Sequence, residues 1–140
     1  MLKRMIEYFD SQAELRERAL EASRAAIRSS ARAIAAIHRG EFKRADAFLA
    51  EAKERLNALA KVVELEPEMA GSGHVLSAQQ EYGEAIILRS AITEVKLPDP
   101  DGLDISYRAY LAALADAAGE LRRHILDKIR ANEVERAETV

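Results

Sequence analysis

The chain contains no cysteine, and only 3 prolines and 6 glycines interrupt its 140 residues. The missing thiols exclude a disulfide framework and a thiolate metal site. So few helix breakers in an alanine-, glutamate-, arginine- and leucine-rich chain favour long helices over sheet. There is no glycine-rich phosphate loop, no nucleophile elbow and no HExxH pair, so serine chemistry has no visible support. No stretch approaches the length of a membrane span. Residues Met1, Leu2, Lys3, Arg4 and Glu7 place charges where a secretory signal needs an apolar run, and a cytoplasmic protein is expected. The chain also lacks a basic excess. Its net charge of -3 and pI near 5.7 mean that any contact with phosphates must come from a local patch or from the face of an assembly.

Hydrophobic residues make up 49% and charged residues 32%, which suits a packed core under a solvated surface. The length fits one domain over residues 1–140, with no internal repeat and no low-complexity segment. Asp10-Ser11 with Glu14 has the spacing of a capping box, so a first helix is expected from there to Ile37, with a short helix over residues 2–9 before it. Gly40 is its natural stop. A second helix is expected over residues 41–64, where Phe42, Ala45, Leu49, Ala52, Leu56, Leu59 and Val63 form a seam suited to antiparallel packing. Pro67 and Gly71-Ser72-Gly73 break the chain. A third helix runs from His74 or Ser77 to Val95, and a fourth, capped by Asp104, to Arg130. The architecture expected is an all-α antiparallel bundle of four long helices.

The third helix carries the sharpest chemical signal. Ala78, Ala85, Leu88, Ile92 and Val95 cluster on one side, with Gln79, Gly83, Ser90 and Glu94 opposite. Glu81 falls near the centre of the apolar side, and Glu84 borders it one turn along. A carboxylate placed there needs a cation, a proton or a water-filled cavity. Two carboxylates cannot neutralise each other. A shared divalent ion, for which oxygen ligands suit Mg2+ or Mn2+, and an arginine from a neighbouring helix are the two remedies, and spacing leaves both open.

On the fourth helix Asp116 and Glu120 lie one turn apart, away from Tyr107, Leu111, Leu114, Leu121 and Ile125. Their neighbours Ala109, Ala112, Ala113 and Gly119 let a backbone or a phosphate come close. Glu120, Arg123, Asp127 and Arg130 read equally as a solvated face of ion pairs. Arg24, Arg28 and Arg32, with Arg39 on the same line, form a row able to track phosphates, and Arg122 with Arg123 adds a second basic spot. Glu17 and Glu21 share the first line, so intrahelical pairing is the alternative. No two of His38, His74 and His124 have metal-ligand spacing on one helix, and His38 on the apolar stripe reads as a hydrogen-bonded core residue or helix-end cation.

Several of these segments resemble those of the translin family. Ser23-Arg24, Ile27-Arg28-Ser29-Ser30, Ala33-Ile34 and Ile37-His38-Arg39-Gly40-Glu41 resemble the N-terminal helix of its archaeal members. Gln80-Glu81-Tyr82-Gly83-Glu84-Ala85 is similar to the family's QEYxEA motif. Tyr110-Leu111, Ala115-Asp116, Gly119-Glu120-Leu121-Arg122-Arg123 and Ile129-Arg130 resemble its YL…D…GELRR…IR segment. The family comprises translin, which binds single-stranded DNA and RNA, and translin-associated factor X, which together form a hollow octamer that cleaves RNA in its cavity. The resemblance places Glu81, Glu84 and Asp116 at the acidic catalytic positions of the factor X type, with Glu120 at a further acidic position beside them. It implies a Mg2+- or Mn2+-dependent endoribonuclease acting as a homo-oligomer, related to archaeal homo-oligomeric ribonucleases. The alternative it carries is a non-catalytic scaffold for single-stranded nucleic acid, as translin is. Family members continue through additional C-terminal helices, whereas this chain stops soon after Glu135-Arg136-Ala137-Glu138, so a truncated or short form is expected.

Overall fold

The computed structural model describes residues 1–139 as a helical bundle, with no strand among them. Helix α1 spans Leu2–His38 and α2 Phe42–Leu65; a 3-10 turn over Pro67–Gly71 leads into α3 at Gly73–Ile92. A single turn, α4, at Pro100–Leu103 precedes α5 at Tyr107–Thr139. Helix α1 packs on both α2 and α3, while α5 packs chiefly on α3.

The first helix is one piece. Ser11 is exposed inside it rather than capping it, because residues 2–10 continue the helical pattern without a breaker and the hydroxyl is not needed at a terminus. Its end follows expectation. Gly40 adopts φ 75, and the Gly40 N–H donates to Ile37 at 3.0 Å and the Glu41 N–H to Ala36 at 2.9 Å, a double closure that needs a left-handed residue. The same closure ends α3 at Glu94 (φ 57), with the Val95 N–H donating to Ser90 at 3.0 Å. Hence α3 stops at Ile92, three residues before Val95, which is left exposed. Asp104 is the left-handed C-cap of α4 (φ 54), not the N-cap of the last helix. That cap is Ser106, whose Oγ accepts from the Ala109 N–H at 3.2 Å. Asp99 caps α4 by accepting from Gly102 at 2.7 Å.

Most of the α2 seam behaves as its spacing predicts. Ala45, Leu49, Ala52, Leu56 and Leu59 are buried, with Val62 completing the row where Val63 is only half-buried. They face Ala19, Ala22, Ala26 and Ala33 of α1, and Val75, Ala78, Tyr82 and Ala85 of α3. Helix α3 is buried on two sides, which explains why no single apolar stripe described it well. One side meets α1 and α2; the other meets α5 through Gly83 and Ile87, against Ala113 and Ala117. Arg89 ties α3 to α2 through a two-nitrogen pair with Asp46, at 2.5 and 2.9 Å. The Ser106 N–H donates to Gln79 Oε1 at 3.1 Å, and the Tyr110 hydroxyl to the Pro98 carbonyl at 2.8 Å, which anchors the start of α5.

The outer side of α5 is unpartnered. Tyr107, Leu111, Ile125 and Ile129 are exposed there, as are Met5, Ile6 and Phe9 near the start of α1. No helix among the described residues is long and apolar enough to cross a membrane.

A β-carbon at Gly83 would sit 3.0 Å from both Ala113 Cβ and Ile105 Cδ1. Gly83→Val is therefore expected to lower unfolding stability by about 1–3 kcal/mol in denaturant titration. Gly119, with open space around it, is the control: Gly119→Ala is expected to raise stability by up to about 1 kcal/mol.

Candidate functional site

The close approach at Gly83 positions the acidic residues. With Gly83, Ala113 and Ala117 at the closest part of the seam, α5 comes near enough to α3 for Asp116 and Glu120 to face Glu81 and Glu84 across it. Helix α3 forms the floor of this groove. The wall formed by α5 carries the two further carboxylates, and the C-terminal turn of α1 closes one end through His38.

Glu84 is the most buried acidic side chain described, at 7% exposure. Burial, then the negative charges of Glu81, Asp116 and Glu120, push its pKa from 4.5 up to about 7. Glu81 is half-buried and is raised by the same causes, burial first and then Asp116 and Glu120. The order of the pair thus reverses the expectation: Glu84, which spacing put at the border of the apolar side, lies deeper than Glu81 at its centre, because α5 packs over that border of α3. Among the described residues no lysine or arginine nitrogen comes within 4.0 Å of either carboxylate, so the neighbouring-arginine alternative has no partner here.

The two carboxylates of α5 have other attachments. Asp116 accepts from Gln80 Nε2 at 2.5 Å, and Glu120 accepts from His38 Nε2 at 2.5 Å, with Arg123 4.0 Å away. Arg123 also lies 4.0 Å from Asp127, so the solvated ion-pair face exists, but it begins beyond Asp116. With these side chains turned as they are, no three Asp, Glu or His residues among those described converge as a ready ligand set. The four carboxylates are gathered but not closed on one point. Their chemistry still fits a hard divalent ion: carboxylates only, crowded and partly dehydrated, with Glu81 and Glu84 lacking a counter-charge among the described residues. The groove is open, and the deeper concavities, such as that lined by Lys53, Leu56, Gln79 and Asp104, lie elsewhere.

The arginine row is exposed throughout but does not act as one line. Arg32 and Arg39 turn towards α2, where with Arg44 and Phe48 they line a shallow notch. Arg39 and Arg44 there both reach Glu41, at 3.4 and 3.6 Å. Arg24 and Arg28 are exposed further along α1, and Arg122 and Arg123 on α5. Among the described residues, Glu17 and Glu21 pair with none of them. Sequence spacing missed Arg44 and the part played by His124, whose Nδ1 lies 3.4 Å from His38 Nδ1. Nothing local signals a contact between positions 86 apart.

Comparison with solved structures decides the family. The crystal structure of AfC3PO superposes with a TM-score of 0.77 at 30% identity, covering 98% of this chain and 70% of that one. The chain belongs to the translin/C3PO family. A second AfC3PO structure, a complex with duplex RNA, matches with a TM-score of 0.76. Apo-NeC3PO shares the fold at 24% identity and a TM-score of 0.77, covering 99% of this chain and 75% of that one. An uncharacterised protein of Methanocaldococcus jannaschii is 34% identical over 134 residues, and the present translin/C3PO chain spans 58% of its length. No family model matches the sequence.

The raised Glu84 pKa sets a pH dependence. In metal-free buffer the folded state keeps a proton, up to about pH 7, that the unfolded chain releases near 4.5. Stability should therefore fall as pH rises between those values. Glu84→Gln should flatten that slope and stabilise the apo protein at pH 8 by an amount on the order of 1 kcal/mol, read by thermal unfolding at several pH values.

Proposed function

We propose that this protein is a metal-dependent endoribonuclease of the C3PO type, cleaving RNA phosphodiester bonds within a homo-oligomer. The observation that carries this reading is the groove of four carboxylates in which Glu84 is buried without a cation. Natural cores rarely keep such a charge, and perturbed carboxylates in a cleft mark functional sites.

Glu81, Glu84 and Asp116 would hold Mg2+ or Mn2+, with Glu120 in support. When bound, the ion supplies charge neutralisation at the scissile phosphate and lowers the pKa of a water it holds. The chain's own part is positional. Burial keeps Glu84 dehydrated, so its attraction for a divalent cation is stronger than in open water. Gln80 and His38 hold Asp116 and Glu120 at the rim until they are needed. Arg24, Arg28, Arg32, Arg39, Arg122 and Arg123 are exposed and suited to the RNA backbone, with little base specificity. The unpartnered apolar faces of α5 and of the start of α1 support assembly. The AfC3PO complex with duplex RNA supports RNA as the partner.

One observation favours a second reading. Asp116 and Glu120 are satisfied by Gln80 and His38 without a metal, as a non-catalytic scaffold for single-stranded RNA or DNA would require. Cleavage of labelled single-stranded RNA, on material of known oligomeric mass, separates the two. The nuclease cuts with Mg2+ or Mn2+ and stops with EDTA, whereas a scaffold binds and never cuts. Glu81→Gln and Glu84→Gln should each reduce cleavage by at least about a hundredfold while sparing or tightening RNA binding. If both variants cut as fast as the parent, the site is wrongly assigned.

RNA affinity should fall steeply with salt. Each Arg→Ala change that removes a phosphate contact should lower the slope of log K against log salt by about 1.

A further inference from the structure

We propose that His38 and His124 form a separate site for a transition-metal ion of the zinc class, which clamps α1 to α5 beside the carboxylate groove. His38 stands in the last turn of α1 and His124 midway along α5. Their Nδ1 atoms face each other at 3.4 Å, and the rings lie 5.6 Å apart between centroids, inclined by 32°. Two imidazole nitrogens on one tetrahedral zinc, at ordinary bond lengths, sit about 3.3 Å apart. An ion therefore fits between the two rings with little movement of either helix.

A direct hydrogen bond between the nitrogens is the other use of such a spacing. What points to an ion is the far side of His38. Its Nε2 meets Glu120 Oε2 at 2.5 Å, and a carboxylate can only accept, so the proton sits on Nε2. The Nδ1 lone pair is then aimed at His124. A carboxylate that fixes the tautomer of a histidine and turns its free nitrogen to a metal is the usual support of zinc-binding imidazoles. His124 is also held below the ordinary imidazole range, by burial first and then by His38 and Lys128, which favours the neutral ring with its one free nitrogen lone pair.

Glu120, Asp127, Arg123 and Lys128 are the charges around the pair. Lys128 disfavours positive charge at His124 more than Asp127 favours it, so an ion there must be held by the nitrogen lone pairs, while Arg123 is drawn towards the two carboxylates at 4.0 Å from each. No third side chain among the described residues converges on the pair, so water completes the coordination. Nitrogen ligands select Zn2+, Ni2+ or Cu2+ over Mg2+, the reverse of the preference of the adjoining oxygen ligands. The pair shares Glu120 with the carboxylate groove, yet binding of an ion here does not require that the groove cleave RNA.

The test uses the full chain without an affinity tag, since its histidines are only His38, His74 and His124. Zn2+ and, separately, Mg2+ are titrated by calorimetry, and thermal unfolding is followed with each. One Zn2+ per chain is expected. At a hundredfold excess over its dissociation constant it should raise Tm by roughly 5–10 °C. His38→Ala and His124→Ala should each abolish both effects, and Glu120→Ala should weaken binding by about ten- to a hundredfold. His74→Ala and the double variant Glu81→Gln, Glu84→Gln should bind Zn2+ as the parent does. His124→Asn, measured well below its Tm, keeps the test valid if the alanine variant is unstable. The proposal is overturned if the parent takes up no Zn2+. It is equally overturned if Zn2+ uptake survives loss of His124 and vanishes with the Glu81 and Glu84 changes, which would put the ion on the carboxylates.

Discussion

The contact between α3 and α5 is closest where Gly83 meets Ala113, and the rest of the molecule's chemistry depends on it. Gly83 leaves 3.0 Å between the place a β-carbon would occupy and its neighbours Ala113 and Ile105, and Ala117 continues the same thin seam. Large side chains in that seam would hold the helices apart and hydrate the groove. Small ones let α5 lie close, and that proximity puts Asp116 and Glu120 within electrostatic reach of Glu81 and Glu84. Dehydration and crowding arise from the same packing, so neither can be relieved without moving α5.

Such an arrangement stores an unmet demand for positive charge. Glu84 meets it in part by holding a proton to near neutrality, while Asp116 and Glu120 meet it by turning to Gln80 and His38. These attachments involve all three helices around the groove, so the charge it carries is coupled to how α1, α3 and α5 sit together. A divalent ion and a retained proton are competing answers to the same electrostatic problem.

The surface around the groove is divided by chemistry. Carboxylate oxygens line its floor, a pair of imidazoles closes the end beside the turn from α1 into α2, and guanidinium groups stand outside on α1 and α5. Beyond them the outer face of α5 and the first turns of α1 present apolar side chains to solvent, which a second protein surface would cover at a gain in free energy.

Periodicity and composition alone determined the helical class, the course of α2 and the stop at Gly40, and they singled out Glu81 with Glu84 as candidates, because these rest on local rules of spacing and turn chemistry that act within a few residues. The resemblance in motif added Asp116. Three things belonged to tertiary structure. Ser11 and Asp104 have good capping side chains that the chain does not use as caps, since continuation of α1 and the left-handed turn after α4 satisfy the same backbone groups in other ways. Glu84 outranks Glu81 in burial because α5 covers one border of α3, and no pattern within α3 records which neighbour will lie there. His38 meets Glu120 and His124 across more than eighty positions. Such contacts are set by where helices cross, and crossing is a property of packed surfaces rather than of spacing along the chain.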